Sequence, residues 1–335
     1  MLCLCTPAPR LGRGKAYDAG SASVNWRATT KAALEPLLLR SGLVVNSARQ
    51  KDRSVAVLAF HNIVPDREPP AGDRSLHLPV SEFAALIDTL SRYAAFVSLE
   101  EAVAASSRTN ALRLAITFDD AYAGATSLGL DALAARGIPA TIFVAPTLLG
   151  AANTWWDAAA NPTDGAVLAE LRNEWLDGWR AGRTAAIREG FLSAQDGSQK
   201  PLSPEFRIAD EDSLRVAANR PGVTLGSHTW SHPNVAALAS SAETLDELTN
   251  ELRRPLEWLR AFGAPMVPML AYPYGRWNAV AARMAADIGY TAAFRVDGGA
   301  WGQSRPPMHE LPRINVPAAM RAGGVLMRMA GWVKT

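Results

Sequence analysis

Two short stretches about a hundred residues apart carry the groups that could do chemistry: Thr117-Phe118-Asp119-Asp120 and Ser227-His228-Thr229-Trp230-Ser231-His232-Pro233. The first leaves two adjacent carboxylates at the end of an apolar run, and the second leaves two imidazoles four residues apart after another. One carboxylate and two histidines make a three-ligand metal site with a position open for water, and the remaining carboxylate is then free to act as a base. That set predicts metal-assisted hydrolysis. Each half is weak alone, because an Asp after a strand is commonly a helix N-cap. An i,i+4 histidine pair places both rings on one side of a helical turn and is commonly a solvated face. The combination is the signal: of five histidines in the chain, His61, His228 and His232 directly follow strand-like runs.

Elements that position these groups can be read from the apolar pattern. Val55–Phe60 is an unbroken apolar run ending at His61, and Leu112–Phe118 ends at the Asp pair. Further strand-like runs are Phe96–Leu99, Ala140–Ala145, Val223–Gly226, Met266–Tyr272, Thr291–Val296 and Leu311–Val316. Helical spacing covers Ser81–Tyr93, with Ser81 as N-cap and Phe83, Leu86, Ile87 and Leu90 on one face, then Glu100–Ser106, Ala121–Arg136, Ala242–Phe262 and Ala279–Ile288. Continuous apolar strands alternating with helices imply parallel strands covered on both faces. The expected fold is therefore α/β: a single, distorted, seven-stranded (β/α) barrel over residues 54–320. In such a barrel the active-site face is built from the C-terminal strand ends, where His61, Asp119, Asp120, His228, His232 and Tyr272–Tyr274 all fall.

The interval 150–220 breaks this rhythm and, with Trp155, Trp156, Trp175 and Trp179, predicts a helical insertion over one rim. Residues 1–53 predict a basic leader and an amphipathic helix near 26–45, interrupted at Pro36, and residues 321–335 a C-terminal tail. Residues 1–54 hold nine Lys/Arg against three Asp/Glu, whereas the whole chain nets only +2. A basic arm on an acidic body suits contact with a membrane surface or another polyanion. No nucleic-acid partner is expected. The two cysteines, Cys3 and Cys5, cannot staple the body. No secretory signal pattern and no run of about 18 apolar residues is present, so a cytoplasmic or membrane-peripheral location is expected.

The two stretches resemble the NodB-type polysaccharide deacetylases, carbohydrate esterase family four. That family's first motif is T-F-D-D, matched by Thr117–Asp120, and its second is H-[ST]-x-x-H, matched by His228–His232. Ala271-Tyr272-Pro273-Tyr274-Gly275 is similar to the third. The resemblance, over about residues 54–320, implies Asp119 as general base and Asp120, His228 and His232 as metal ligands. It also implies that the backbone N–H of Tyr274 helps to bind the oxyanion. Two departures stand out. Ala271 occupies the place of the Arg that orients the base, with Arg295 or Arg313 as candidate substitutes, and the late L-x-H motif that supplies the acid is missing. His309-Glu310-Leu311 reverses that order and precedes its strand. Val57–Asn62 instead resembles the early strand-His segment of a permuted branch that includes deacetylases of poly-N-acetylglucosamine, which implies His61 as the acid. His77 has no matching context and reads as a surface residue.

The implied chemistry is hydrolysis of N-acetyl groups on an N-acetylated glycan, in exopolysaccharide or cell-surface biosynthesis. The implied cofactor is a divalent metal, Zn²⁺ first, with Co²⁺ or Ni²⁺ tolerated by the same ligands. Tyr272, Trp230, Trp277 and Trp155 are candidates for substrate contact. Competing expectations are an O-acetyl esterase, a deacylase of a lipid-linked sugar, and a silent carbohydrate-binding protein that stacks sugars on Trp155, Trp230, Trp277 and Trp301.

Overall fold

The computed structural model describes residues 41–50, 53–67, 72–104, 111–160, 165–167, 203–296 and 298–333. The basic arm before residue 41 and most of the 150–220 insertion lie outside these residues.

The apolar runs form strands β1 (Val55–Phe60), β2 (Asn62–Val64), β3 (His77–Pro79), β4 (Ala94–Phe96), β5 (Leu112–Asp119), β6 (Ala140–Val144), β7 (Val223–Ser227), β8 (Met266–Ala271), β9 (Ala292–Arg295), β10 (Leu311–Pro312) and β11 (Ile314–Asn315). Hydrogen-bonded neighbours run β10-β9-β8-β7-β6-β5-β1-β11, with β4 also on β5 and β2-β3 as a separate pair. The pairings are parallel. β10 and β11 are two halves of one extended segment parted at Arg313; one half pairs with β9 and the other with β1. That single segment closes the ring, and counting it once gives the seven strands the sequence predicts.

Because side chains alternate along a strand, one parity of each faces the barrel interior. Val55, Val57, Ala115, Phe143, Val267, Met269, Ala271, Phe294 and Leu311 pack there as one cluster, with Trp301. The same parity, continued to the strand ends, arrives at His61, Asp119, His228 and Arg313. The period of two is what brings distant residues to one mouth.

Around the barrel pack α1 (Leu43–Gln50), α2 (Val80–Leu90), α3 (Leu99–Ala104), α4 (Leu130–Ala134), α5 (Trp155–Ala158), α6 (Glu211–Ala218), α7 (Val235–Leu238), α8 (Leu245–Phe262), α9 (Ala279–Ile288) and α10 (Ala322–Met329), and α3 adds Leu99, Ala102 and Val103 to the interior cluster. Phe83, Leu86, Ile87 and Leu90 are buried as expected, but α2 starts on Pro79 because Asp66 takes the Ser81 amide at 2.9 Å. The helix expected from Ala121 starts two residues later, at Ala123, and runs through a π-helical turn over Ala125–Gly129, because Asp120 and Ala121 have left-handed φ of 67° and 60°. The expected tail is instead α10: Val325, Leu326 and Met329 are buried in the same core as Val44, Val45 and Ala48 of α1. No helix among the described residues is long and apolar enough to cross a membrane.

Candidate active site

Asp119 ends β5 on the inward parity and meets Arg313, which projects inward where the closing strand is parted. The guanidinium is wholly buried and grips the carboxylate with both prongs, Nη1 to Oδ1 at 2.7 Å and Nη2 to Oδ2 at 2.8 Å. Nη1 also donates to Thr117 Oγ1 at 3.1 Å, whose own hydroxyl donates to the Leu58 carbonyl. Burial alone would push the Asp119 carboxyl up. The charge of Arg313 and its paired hydrogen bonds outweigh it and hold the group well below the usual carboxylate range. Of the two candidate arginines, Arg313 therefore stands beside Asp119, whereas Arg295 donates to the Glu310 carbonyl.

Asp120 would face away on strand parity, but its left-handed backbone swings the carboxylate toward the histidines. Such a conformation costs a non-glycine residue about 1–3 kcal/mol and is kept where surroundings enforce it. His228 and His232 are likewise not carried on a helical turn, contrary to the expectation from their spacing. Residues 228–234 form a loop with Thr229 and His232 at φ of 65° and 62°. Glu251 on α8 shapes that loop by accepting the Trp230 and Ser231 amides and the Ser231 hydroxyl.

Each ring is then fixed through Nδ1. His228 Nδ1 lies 2.8 Å from the Ala271 carbonyl, which can only accept, so the nitrogen donates. His232 Nδ1 lies 2.8 Å from the Tyr274 hydroxyl, which itself donates to the His232 carbonyl, so this nitrogen donates too. Both Nε2 lone pairs therefore face Asp120 Oδ1, at 3.6 Å from His228 and 3.3 Å from His232. That oxygen is buried with no hydrogen-bond partner. Three lone pairs turned on one point could hold a cation. The spacing suits ligands about 2.0–2.1 Å from one tetrahedral ion, which stand roughly 3.4 Å apart. Burial and the charges of Asp119 and Asp157 push the Asp120 carboxyl well up, while burial pushes His228 down to about 4, leaving a neutral imidazole ready to ligate. Among the described residues, Asp120, His228 and His232 are the cluster able to hold a metal ion.

Above the triad opens a cavity lined by these groups and by His61, Asp73, Leu76, Trp155, Trp156 and Tyr274. His61 thus reaches the site as expected. Burial lowers its pKa below 6.5, with Asp119 and Asp73 opposing. Trp155 lines the cavity, but other candidates for substrate contact do not. Tyr272 is fully buried with its hydroxyl on the His309 carbonyl, because it follows β8 on the parity facing α9, where Trp277 stacks on it. Trp230 sits under Arg254, whose guanidinium lies 4.0 Å from the ring centroid. Trp301 is inside the barrel core. His309 bonds the Tyr290 carbonyl before β10, at the opposite end from the site. His77 is not a surface residue: it is 6 % exposed, because Asn62 and Asp157 satisfy both its nitrogens.

A model of the polysaccharide deacetylase family matches residues 106–293, more than half of the chain. The chain belongs to the polysaccharide deacetylase family. It is a hydrolase of the NodB type, and its family implies a glycan substrate. No curated protein matches it in sequence. Solved structures share the fold at low identity. The deacetylase PplD of Streptococcus pyogenes is 18 % identical with a TM-score of 0.52, over 82 % of this chain and 97 % of that one. IcaB of Ammonifex degensii is 15 % identical with a TM-score of 0.54, over 84 % and 97 %. A de-N-acetylase of Aggregatibacter actinomycetemcomitans is 18 % identical with a TM-score of 0.52, over 81 % and 97 %.

Proposed function

We propose that this member of the family is a divalent-metal-dependent N-deacetylase acting on an N-acetylated glycan. The observation that carries the reading is the pairing of Asp119, clamped and kept ionised by Arg313, with the lone-pair triad of Asp120, His228 and His232. A divalent ion held by that triad, Zn²⁺ by preference of its ligands, supplies Lewis acidity that acidifies water and polarises the acyl oxygen.

This chain's own residues do the rest. Asp119 accepts the proton of the attacking water while Arg313 fixes its orientation. The backbone N–H of Tyr274 is assigned to the developing oxyanion, a donor type worth about 3–4 kcal/mol in other hydrolases. His61 delivers a proton to the amine as the C–N bond breaks, a contribution of about 10²–10⁴ in rate. His61 supports amide over ester cleavage, because an amine leaves poorly without a proton and an alkoxide needs it less. Its lowered pKa means that the protonated form thins out as pH rises, so amide hydrolysis should fall off on the basic side. The silent-binder reading takes Trp155, Trp230, Trp277 and Trp301 as stacking platforms and is kept open by the missing motif Arg. Against it count Arg313 on Asp119 and a cavity lined by Trp155 but not by the other three.

Acetate release by Zn²⁺-loaded protein, measured across N-acetyl and O-acetyl glycans with Asp119→Asn as blank, tests the proposal. N-acetyl substrates should be cleaved, and His61→Ala should lose about 10² or more on them but far less on activated esters. Equal losses on both, or release from O-acetyl glycans alone, would contradict it.

A further inference from the structure

Beside the catalytic groups lies a buried polar cluster that the reaction does not use. Its centre is Asp157, whose side chain is 1 % exposed. Oδ1 accepts the Asp73 backbone N–H at 2.9 Å and lies 3.0 Å from His77 Nε2. Oδ2 accepts the Tyr122 hydroxyl at 2.6 Å and the Thr154 hydroxyl at 2.8 Å. The proton positions follow from the partners. Asn62 is oriented by donating to the Glu205 carbonyl, and its amide nitrogen lies 3.1 Å from His77 Nδ1, so that ring nitrogen accepts. His77 Nε2–H then donates to Asp157. Burial opposes the Asp157 charge, but His77, Tyr122 and the Asp73 amide outweigh it and keep the carboxyl below its ordinary range.

A buried carboxylate is a costly way to fill space, and it is tolerated where every lone pair is met. What it joins is informative. Asp73 and Leu76 on one segment and Trp155 and Trp156 on another are cavity walls. Tyr122 follows the Asp119-Asp120 turn and accepts Trp156 Nε1–H at 2.8 Å, and the Trp156 ring lies against His232 with centroids 4.9 Å apart. Gly72, at φ +64°, lets the first segment approach this closely, because a Cβ there would strike Asp157 Oδ1 and His77 Nε2.

We propose that Asp157 is a positioning residue for the substrate cavity. Its carboxylate ties the 72–77 segment, Tyr122 and the Trp155–Trp156 wall into one unit, and that unit forms the sugar-binding side of the site. The assignment to sugar binding rests on the function proposed above; the tie itself does not. Asp157→Asn keeps the shape but replaces one of the two acceptor oxygens by a donor NH2. The fixed Asp73 N–H holds the remaining oxygen at the Oδ1 position, so the NH2 takes the Oδ2 position and leaves the Tyr122 proton without its partner.

Two measurements on the full-length, Zn²⁺-loaded protein decide it. Hydrogen exchange in Asp157→Asn should accelerate about tenfold or more together in 72–77, 121–126 and 154–159. KM for N-acetylglucosamine oligomers should rise about tenfold, while kcat/KM on a small activated acetyl ester falls less than about threefold. Tyr122→Phe, which cuts the same tie by a milder change, should move both readouts in the same direction and be non-additive with Asp157→Asn. Faster exchange confined to 154–159, or equal losses on oligomer and ester, would overturn the proposal. If the wild-type protein cleaves neither substrate, the proposed function falls, and the exchange pattern still decides whether Asp157 is the tie.

Discussion

Asp119 and Asp120 are adjacent in the chain and almost equally buried, at 3 % and 2 % exposure, yet the protein treats them in opposite ways. Asp119 meets a guanidinium on both oxygens and is held ionised. Asp120 faces two imidazole lone pairs and is pushed toward protonation. One half of the site is a clamped ion pair, and the other is a set of three groups able to hold a metal ion. Two neighbouring carboxylates of the same type thereby acquire different partners, and with them the proposed jobs of charged base and metal ligand, through a reversal of backbone hand at Asp120. Environment separates the roles, as it does wherever paired acids share a site.

Removing the guanidinium is the sharpest way to break that contrast. Arg313→Met leaves Asp119 buried without its partner, and breaking such a pair costs about 3–5 kcal/mol of stability, read as a lowered denaturation midpoint. Turnover should fall with it, while Zn²⁺ affinity holds or improves because Asp119 becomes an additional unpaired anion near the triad. Tyr274→Phe attacks the other half. It keeps the ring and the backbone N–H but removes the acceptor that orients His232, and should weaken Zn²⁺ binding by about tenfold in a competitive chelator titration.

The smallest expected effect is on stability in acid without metal. His228 titrates near 4 in the folded protein, below its ordinary 6.5, so the unfolded chain takes up a proton first and stability falls as pH drops through that window. His61, also lowered, acts in the same direction, and Asp119 does so further down. Asp120, being raised, has the opposite sign and offsets one proton's worth, about 1.4 kcal/mol per pH unit. Denaturant titrations between pH 7 and 4 should therefore show a net loss, and Zn²⁺ should add stability that is greatest at the neutral end.

Much of this was legible in the sequence for a simple reason. Parallel barrel strands are apolar throughout, so each run and the polar residue that ends it stand out, and His61, Asp119 and His228 are such residues. Arg313 was legible only as one of two candidates, because which arginine points inward depends on where the closing strand parts. The i,i+4 spacing of His228 and His232 suggested a helical turn, since nothing in the sequence marks Thr229 and His232 as left-handed. His77, Tyr122 and Asp157 were missed as a group, because their partners are 35 to 80 residues apart and only the fold brings them together. One local sign existed: Thr154 and Asp157 stand three apart in the pattern that caps a helix start, and Thr154 does cap α5. Tyr272 reads from the sequence as a sugar contact yet is fully buried, because aromatic side chains serve cores and platforms alike.

The division of labour between the two carboxylates is tested most directly by loading Asp119→Asn and Asp120→Asn side by side with Co²⁺. The absorption of the bound ion and acetate release should be followed in the same samples. The Asp119 variant should bind one ion per chain, with a spectrum close to that of the wild type, and release acetate slower by about 10⁴. The Asp120 variant should fail to load at the same ion concentration. An Asp119 variant that loses the ion, or one that keeps it and still turns over, would contradict the assignment of base and ligand.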